Sequence, residues 1–136
     1  MKKTAVLLLV LVLLVSFAAC GEKDKTSDVF DDSVVKEKAE NVINLLNSGD
    51  YASVEYMVRE DLKDRLSAQV LEDALAPIFE QAGEFDSFGK EQITGSTGND
   101  SEEYAIAVVQ AKYENTTHIF TITFDRDYHI AGLYMK

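Results

Sequence analysis

Between residues 83 and 85 the hydrophobic period of this 136-residue chain changes from helical to extended. On the N-terminal side, Val35, Ala39, Val42, Ile43 and Leu46 recur at i, i+4, i+7, i+8 and i+11, one apolar stripe over three helical turns. Asp31, Asp32 and Ser33 supply capping oxygens and negative charge at the positive helix end. Gly49 offers the left-handed C-terminal position, and Asp50 can cap a short second helix over Tyr51–Val58. A further turn or two is expected through Asp61–Leu66. Ser67 then reads as the N-cap of a third helix, Ala68–Gln81, whose stripe is Val70, Leu71, Ala74, Leu75, Ile78, Phe79 and Ala82. Pro77 lies inside it and predicts a kink, because it removes a donor and crowds the preceding turn. Gly83 ends the helix.

From Phe85 onward the period is two. Glu102–Tyr113 is a long β-prone run, and Thr117–Phe124 alternates, with Phe120, Ile122 and Phe124 on one face and Ile119, Thr121 and Thr123 on the other. Asp125 to Tyr128 reads as a tight turn into a last strand, His129–Met135. Pairing Phe124 with Ile130 sets Ile122 against Gly132 and Phe120 against Tyr134, and predicts a notch at Gly132 on the core face. Three helices followed by about four antiparallel strands is an α+β order, with the helices packed on one face of a curved sheet.

Composition agrees with one packed domain. Hydrophobic residues make up 46% and charged residues 27%, a balance that supports a core rather than disorder. With 13 Lys+Arg against 24 Asp+Glu the net charge is -11, and no basic cluster exists to neutralise phosphates, which excludes nucleic acid as a partner. A single cysteine excludes an intrachain disulfide and a cysteine-based zinc site.

That cysteine ends an N-terminal address. Lys2 and Lys3 precede an apolar run from Ala5 to Val15, too short for a ~30 Å hydrocarbon core at ~1.5 Å per residue. A positive n-region and a short apolar h-region describe a signal peptide. Phe17-Ala18-Ala19-Cys20 resembles the lipobox of bacterial lipoproteins. The resemblance implies that the Cys20 thiol takes a diacylglycerol thioether and that cleavage follows Ala19. The chain then divides into a signal peptide (1–19), a lipidated cysteine and polar tether (20–30) and one α+β domain (31–136). Cleavage leaves 117 residues with 11 positive and 24 negative side chains. Acyl chains, not charge, would hold such a surface at the extracytoplasmic face of the cell membrane.

A second resemblance covers nearly the whole domain. Leu45 through Tyr51, Leu71 through Gly83, Phe88-Gly89-Lys90, Val108–Tyr113, Phe120–Phe124 and Ile130-Ala131-Gly132-Leu133 are similar to the bacterial domain-of-unknown-function 3887 family, often found on lipoproteins. The resemblance implies a cone-shaped fold like nuclear-transport-factor-2-like or cystatin-like domains, with a cavity at the open end. Similar sequences tend to carry Gly where this chain has Tyr128, and an aromatic residue disfavours positive φ there. The family has no assigned reaction, so the resemblance supplies no catalytic residue and no cofactor.

The residues themselves assemble no active site. On the expected hairpin His118 and His129 lie more than ~20 Å apart at ~3.3 Å per residue, so they cannot share a metal, and His129 pairs with Asp125. The acidic clusters, Asp125 and Asp127 among them, lack calcium-loop spacing. No phosphate-binding glycine loop and no nucleophile elbow occurs. Tyr104, Tyr113, Phe120, Phe124 and Tyr134 are aromatic residues on curved strands and are the candidate lining of a cavity for a small apolar ligand. The expectation is therefore a lipid-anchored, non-enzymatic module that binds a small ligand or an envelope protein. The alternative is a small enzyme similar to polyketide-cyclase-like relatives, with an Asp, His or Tyr inside the cavity of the cone.

Overall fold

The computed structural model describes residues 28–136. Helix α1, Asp32–Asn47, starts where Asp31 Oδ1 accepts hydrogen bonds from the backbone N–H of Ser33 at 2.9 Å and Val34 at 3.4 Å. Its stripe of Val35, Ala39, Val42, Ile43 and Leu46 is wholly buried. Asp50 caps α2, Tyr51–Met57, by accepting from Ser53 N at 3.1 Å. One 3-10 turn, Glu60–Leu62, follows. Ser67 caps α3, Ala68–Ala82, through Val70 N at 3.3 Å, and Pro77 lies within that helix. The α3 stripe is narrower than its periodicity predicts: Leu71, Leu75 and Ala82 are buried, whereas Val70 and Ile78 are exposed.

Four antiparallel strands form one curved, unclosed sheet in the order β1-β2-β3-β4: Phe85–Thr97, Glu103–Tyr113, Thr117–Phe124 and Ile130–Met135. Three helices pack on it, so the α+β expectation holds. Along β2, Ala105, Ala107, Val109, Ala111 and Tyr113 point inward, and the small side chains of the three alanines and Val109 leave room for α1 against the sheet. Beside them on β3, Phe120, Ile122 and Phe124 are fully buried, with Val109 opposite Phe120 and Ala107 opposite Ile122. Burying a side chain of that size contributes roughly 1.5–3 kcal/mol, which makes this inner face the main source of stability. The packed core runs from Phe30 to Ile130. Among the described residues, no helix is long and apolar enough to cross a membrane.

The last hairpin departs from the expected register. Phe124 does face Ile130, but the pairing then shifts, setting Thr123 against Gly132, Ile122 against Leu133 and Thr121 against Tyr134. One extra residue on β4 moves every later side chain to the other face. Gly132 therefore opposes Thr123 rather than Ile122, and Tyr134 stands out in solvent at 62% exposure. The notch expected on the core face is absent, because a Cβ at Gly132 would meet Thr123 at 3.4 Å on the outer face.

Tyr128 adopts a left-handed φ of 61°, the conformation its aromatic side chain disfavours. Such a residue costs roughly 1–2 kcal/mol, and tertiary contacts offset it. Its ring meets Phe30 edge-on at 5.8 Å, its hydroxyl accepts from Asp31 N at 3.3 Å, and Lys38 Nζ lies 5.5 Å from the ring centre. The ring thereby fastens the start of α1 to the β3–β4 turn, a link that glycine could not make.

Candidate functional site

Strand β2 runs between two clefts, one near each of its ends. At the Glu103 end, a cleft of about 420 Å³ is lined by Arg59, Asp61, Asp100, Glu102 and the Asp125–Asp127 turn. Arg59 binds Asp61 with both arms, Nε to Oδ1 at 2.6 Å and Nη2 to Oδ2 at 3.0 Å, which holds the Asp61 carboxyl below its usual range. Its Nη1 donates to the Tyr104 hydroxyl at 3.3 Å, and that hydroxyl lies 3.1 Å from Asp100 and 3.0 Å from Glu102. Asp100 is held low chiefly by the Glu102 backbone N–H, 3.0 Å away.

Asp125 is buried at the back of this cleft. Its Oδ1 accepts from the N–H of Asp127 at 3.0 Å and of His129 at 2.8 Å, and its Oδ2 lies 3.5 Å from His129 Nδ1. The expected Asp125–His129 pairing is thus present. Ligating atoms of Asp125, Asp127 and His129 lie within 4.8 Å of one another, making this trio a grouping that could hold a cation. Two of its members are exposed, and the third is occupied in fixing the turn. At this end Arg59, Asp61, Tyr104, Asp100 and Asp125 are each bonded to a neighbour.

The second cleft, about 450 Å³, opens at the Tyr113 end, where the last turns of α1 and α3 meet the start of β1 and the end of β2. Phe85 and Tyr113 are register partners. Phe79 stacks on Tyr113 at 5.8 Å and 23°, and Phe85 meets Tyr113 nearly edge-on at 5.7 Å, giving an aromatic floor. The Tyr113 hydroxyl donates to Asn47 Oδ1 at 2.6 Å, and burial pushes the phenol up to about 12 against the pull of that bond.

Asn47 Nδ2 is buried and has no hydrogen-bond partner among the described residues. Turning the amide over would exchange the atoms and still leave one end unmatched. His118 Nε2 is likewise buried without a partner, on a ring 5.5 Å from that of Tyr113. The other His118 nitrogen faces the Lys136 carbonyl at 3.4 Å, so in the neutral ring Nε2 is the lone-pair acceptor. Two buried polar atoms beside one aromatic cleft each cost stability on the order of 1–3 kcal/mol.

One carboxyl pair lies apart from both clefts. Lys36 Nζ is 2.7 Å from Glu91 and 3.9 Å from Glu40, while burial and bonding to Glu91 raise the Glu40 carboxyl. Glu91 lines neither cleft.

Of the five aromatic residues expected to share a cavity, the structure brings Tyr113 alone to the aromatic cleft. Phe120 and Phe124 are solid core at zero exposure, although the Phe120 ring reaches to 6.5 Å from Phe79. Tyr104 belongs to the Arg59 network at the other end of β2, and the β4 register shift turns Tyr134 outward. Cys20 lies outside the described residues. The residues that complete the cleft, Asn47, Phe79 and Phe85, carried one usable signal. Asn47 follows Ile43 by four residues, so it places an amide on the apolar stripe of α1.

No curated protein matches this chain significantly. Its fold is similar to that in the NMR structure of a protein from Ruminococcus gnavus ATCC 29149, with a TM-score of 0.70 and 25% sequence identity. That likeness covers 84% of this chain and 99% of the other. Residues 39–133, from within α1 to within β4, match the family described as Protein of unknown function (DUF3887), and the chain belongs to that family.

Proposed function

We propose that this protein is a lipid-anchored binding domain on the extracytoplasmic face of a bacterial membrane, taking a small ligand into the cleft between Asn47, Phe79, Phe85 and Tyr113. One observation carries the binding reading: a buried Asn47 amide end, unmatched, at the wall of a cleft with an aromatic floor. A fold that needed only stability would bury an apolar side chain there. A ligand oxygen that accepted from Asn47 Nδ2, with an apolar body against Phe79 and Tyr113, would satisfy that amide end and cover the floor.

The location rests on the Cys20 motif and the apolar run before it. The enzyme alternative would draw on Glu91, whose side chain is 11% exposed and paired with Lys36. Glu91 lines neither of the two clefts, and Asp125, the buried carboxylate that does line one, is occupied in fixing its own turn, so binding is the better supported reading.

The location is checked by feeding cells a labelled fatty acid: the wild-type chain should take up label and Cys20→Ala should not. Equal labelling would refute the anchor. Binding is checked by calorimetric titration of the chain from Gly21 onward with 2-phenylethanol, a neutral probe with one ring and one oxygen. A saturable heat with negative heat-capacity change is expected; a heat that never saturates would sink the reading.

A further inference from the structure

We propose that the aromatic cleft selects organic cations, ligands that join an ammonium group to an apolar body. The inference rests on the cleft being the ligand site, and three observations give that site a sign. Every charged side chain that lines it is acidic: Glu80, Glu84 and Glu114. The opposite cleft, by contrast, has Arg59 and Arg126 among its acids.

Second, α1 and α3 both end here, at Asn47 and Ala82, and neither carries a basic residue in its last turn. A helix C-terminus presents roughly half a negative charge, and a cation nearby is stabilised by about 0.3–1 kcal/mol. Two such ends face the cleft with no basic residue of their own to balance them. Third, the floor is built of aromatic rings, a class of side chain whose faces attract a cation within about 6 Å of their centres and do not attract an anion.

The rim acid is held there by backbone conformation. Gly83 has a φ of 81°, and a Cβ at that position would lie 2.9 Å from both Cβ and Oε2 of Glu114. Glu114 N donates to Glu84 O at 2.9 Å, and Asn115 N to Ala82 O at 2.9 Å, which fixes the β2–β3 turn against the end of α3. Only a glycine leaves room for the Glu114 side chain to lie over this junction.

The discriminating experiment compares three probes of one shape and different charge: phenethylammonium, 2-phenylethanol and 3-phenylpropionate. Backbone amide shifts of Phe79, Phe85 and Tyr113 are followed in the chain from Gly21 onward, which retains the whole Phe30–Ile130 core. The ammonium should bind about tenfold more tightly than the alcohol, and the carboxylate should give no saturable shift. Raising salt to about 0.5 M should shrink that ratio severalfold by screening. In the triple variant Glu80→Gln, Glu84→Gln, Glu114→Gln, all three exposed positions, the roughly tenfold preference for the ammonium over the alcohol should disappear. Equal affinity for ammonium and alcohol in the wild type would overturn the charge selection while the cleft remained a binding site. Shifts with none of the three probes would overturn the selection and the site together.

Discussion

The two ends of β2 carry clefts of nearly equal size, about 420 and about 450 Å³, with opposite chemical character. At the Arg59 end, two arginines sit among five carboxylates, and Arg59, Tyr104 and Asp125 are bonded to their neighbours. At the Tyr113 end, three rings form the floor, the charged rim is all acidic, and a buried amide end lacks a partner. Volume does not separate the two; satisfaction does. A cleft whose polar groups are closed on each other offers a newcomer little, because a ligand must break one hydrogen bond for each that it makes. Where a buried donor is idle, a ligand adds a bond without removing one.

Four variants and one titration would break or sharpen that contrast. The largest effect is expected from Tyr113→Ala, which removes a 7%-exposed ring from under Phe79 and Phe85 and should destabilise the fold by about 3–5 kcal/mol in denaturant unfolding. Tyr113→Phe should cost about 1–2 kcal/mol, since it leaves the Asn47 oxygen unmatched as well. Replacing both partners, Asn47→Leu with Tyr113→Phe, should return stability to within about 1 kcal/mol of wild type or above it, because neither position then buries an unpaired polar group. If the double variant were the least stable of the three, the amide would be a structural element and not an idle one.

At the other end, Arg59→Ala should cost about 1 kcal/mol or less, and high salt should erase the difference, as for other partly exposed ion pairs. A loss of several kcal/mol that survived salt would mean that the ionic cleft, and not the aromatic one, is the demanding region. The smallest signal is optical. Tyr113 should titrate near 12 in ultraviolet absorbance. Its raised pKa means that the folded state holds the proton more tightly than the unfolded chain does. The associated stability is complete below the ordinary tyrosine value of about 10 and declines as pH rises from there through 12.

Much of this molecule could be read from its residues. Asp31, Asp50 and Ser67 marked three helix starts, and the strict alternation of Thr117–Phe124 gave β3 its ends and its inner face. Those signals are local, set by capping oxygens and side-chain period. The β4 register was not legible, because a bulge beside Gly132 is decided by pairing across the hairpin and leaves the alternation of β3 untouched. Tyr128 illustrates the same limit: its left-handed backbone depends on Phe30, Asp31 and Lys38, which belong to the opposite end of the domain in sequence. The site was read by composition of rings, and rings on one face of a sheet divide between core and cleft according to which helix covers them. Tyr113, at the end of β2, lines the aromatic cleft, whereas Phe120 and Phe124 further along β3 are wholly core.

Where a ligand meets this fold decides the contrast between the two clefts, and the side-chain amide of Asn47 reports on that directly. In a nitrogen-15 spectrum of the chain from Gly21 onward, addition of 2-phenylethanol should move the Asn47 Nδ2 proton pair along a saturable curve while the Arg59 Nε proton stays in place. Movement of the Arg59 signal with a stationary Asn47 pair would contradict the aromatic cleft as the ligand site and put binding at the opposite end of β2.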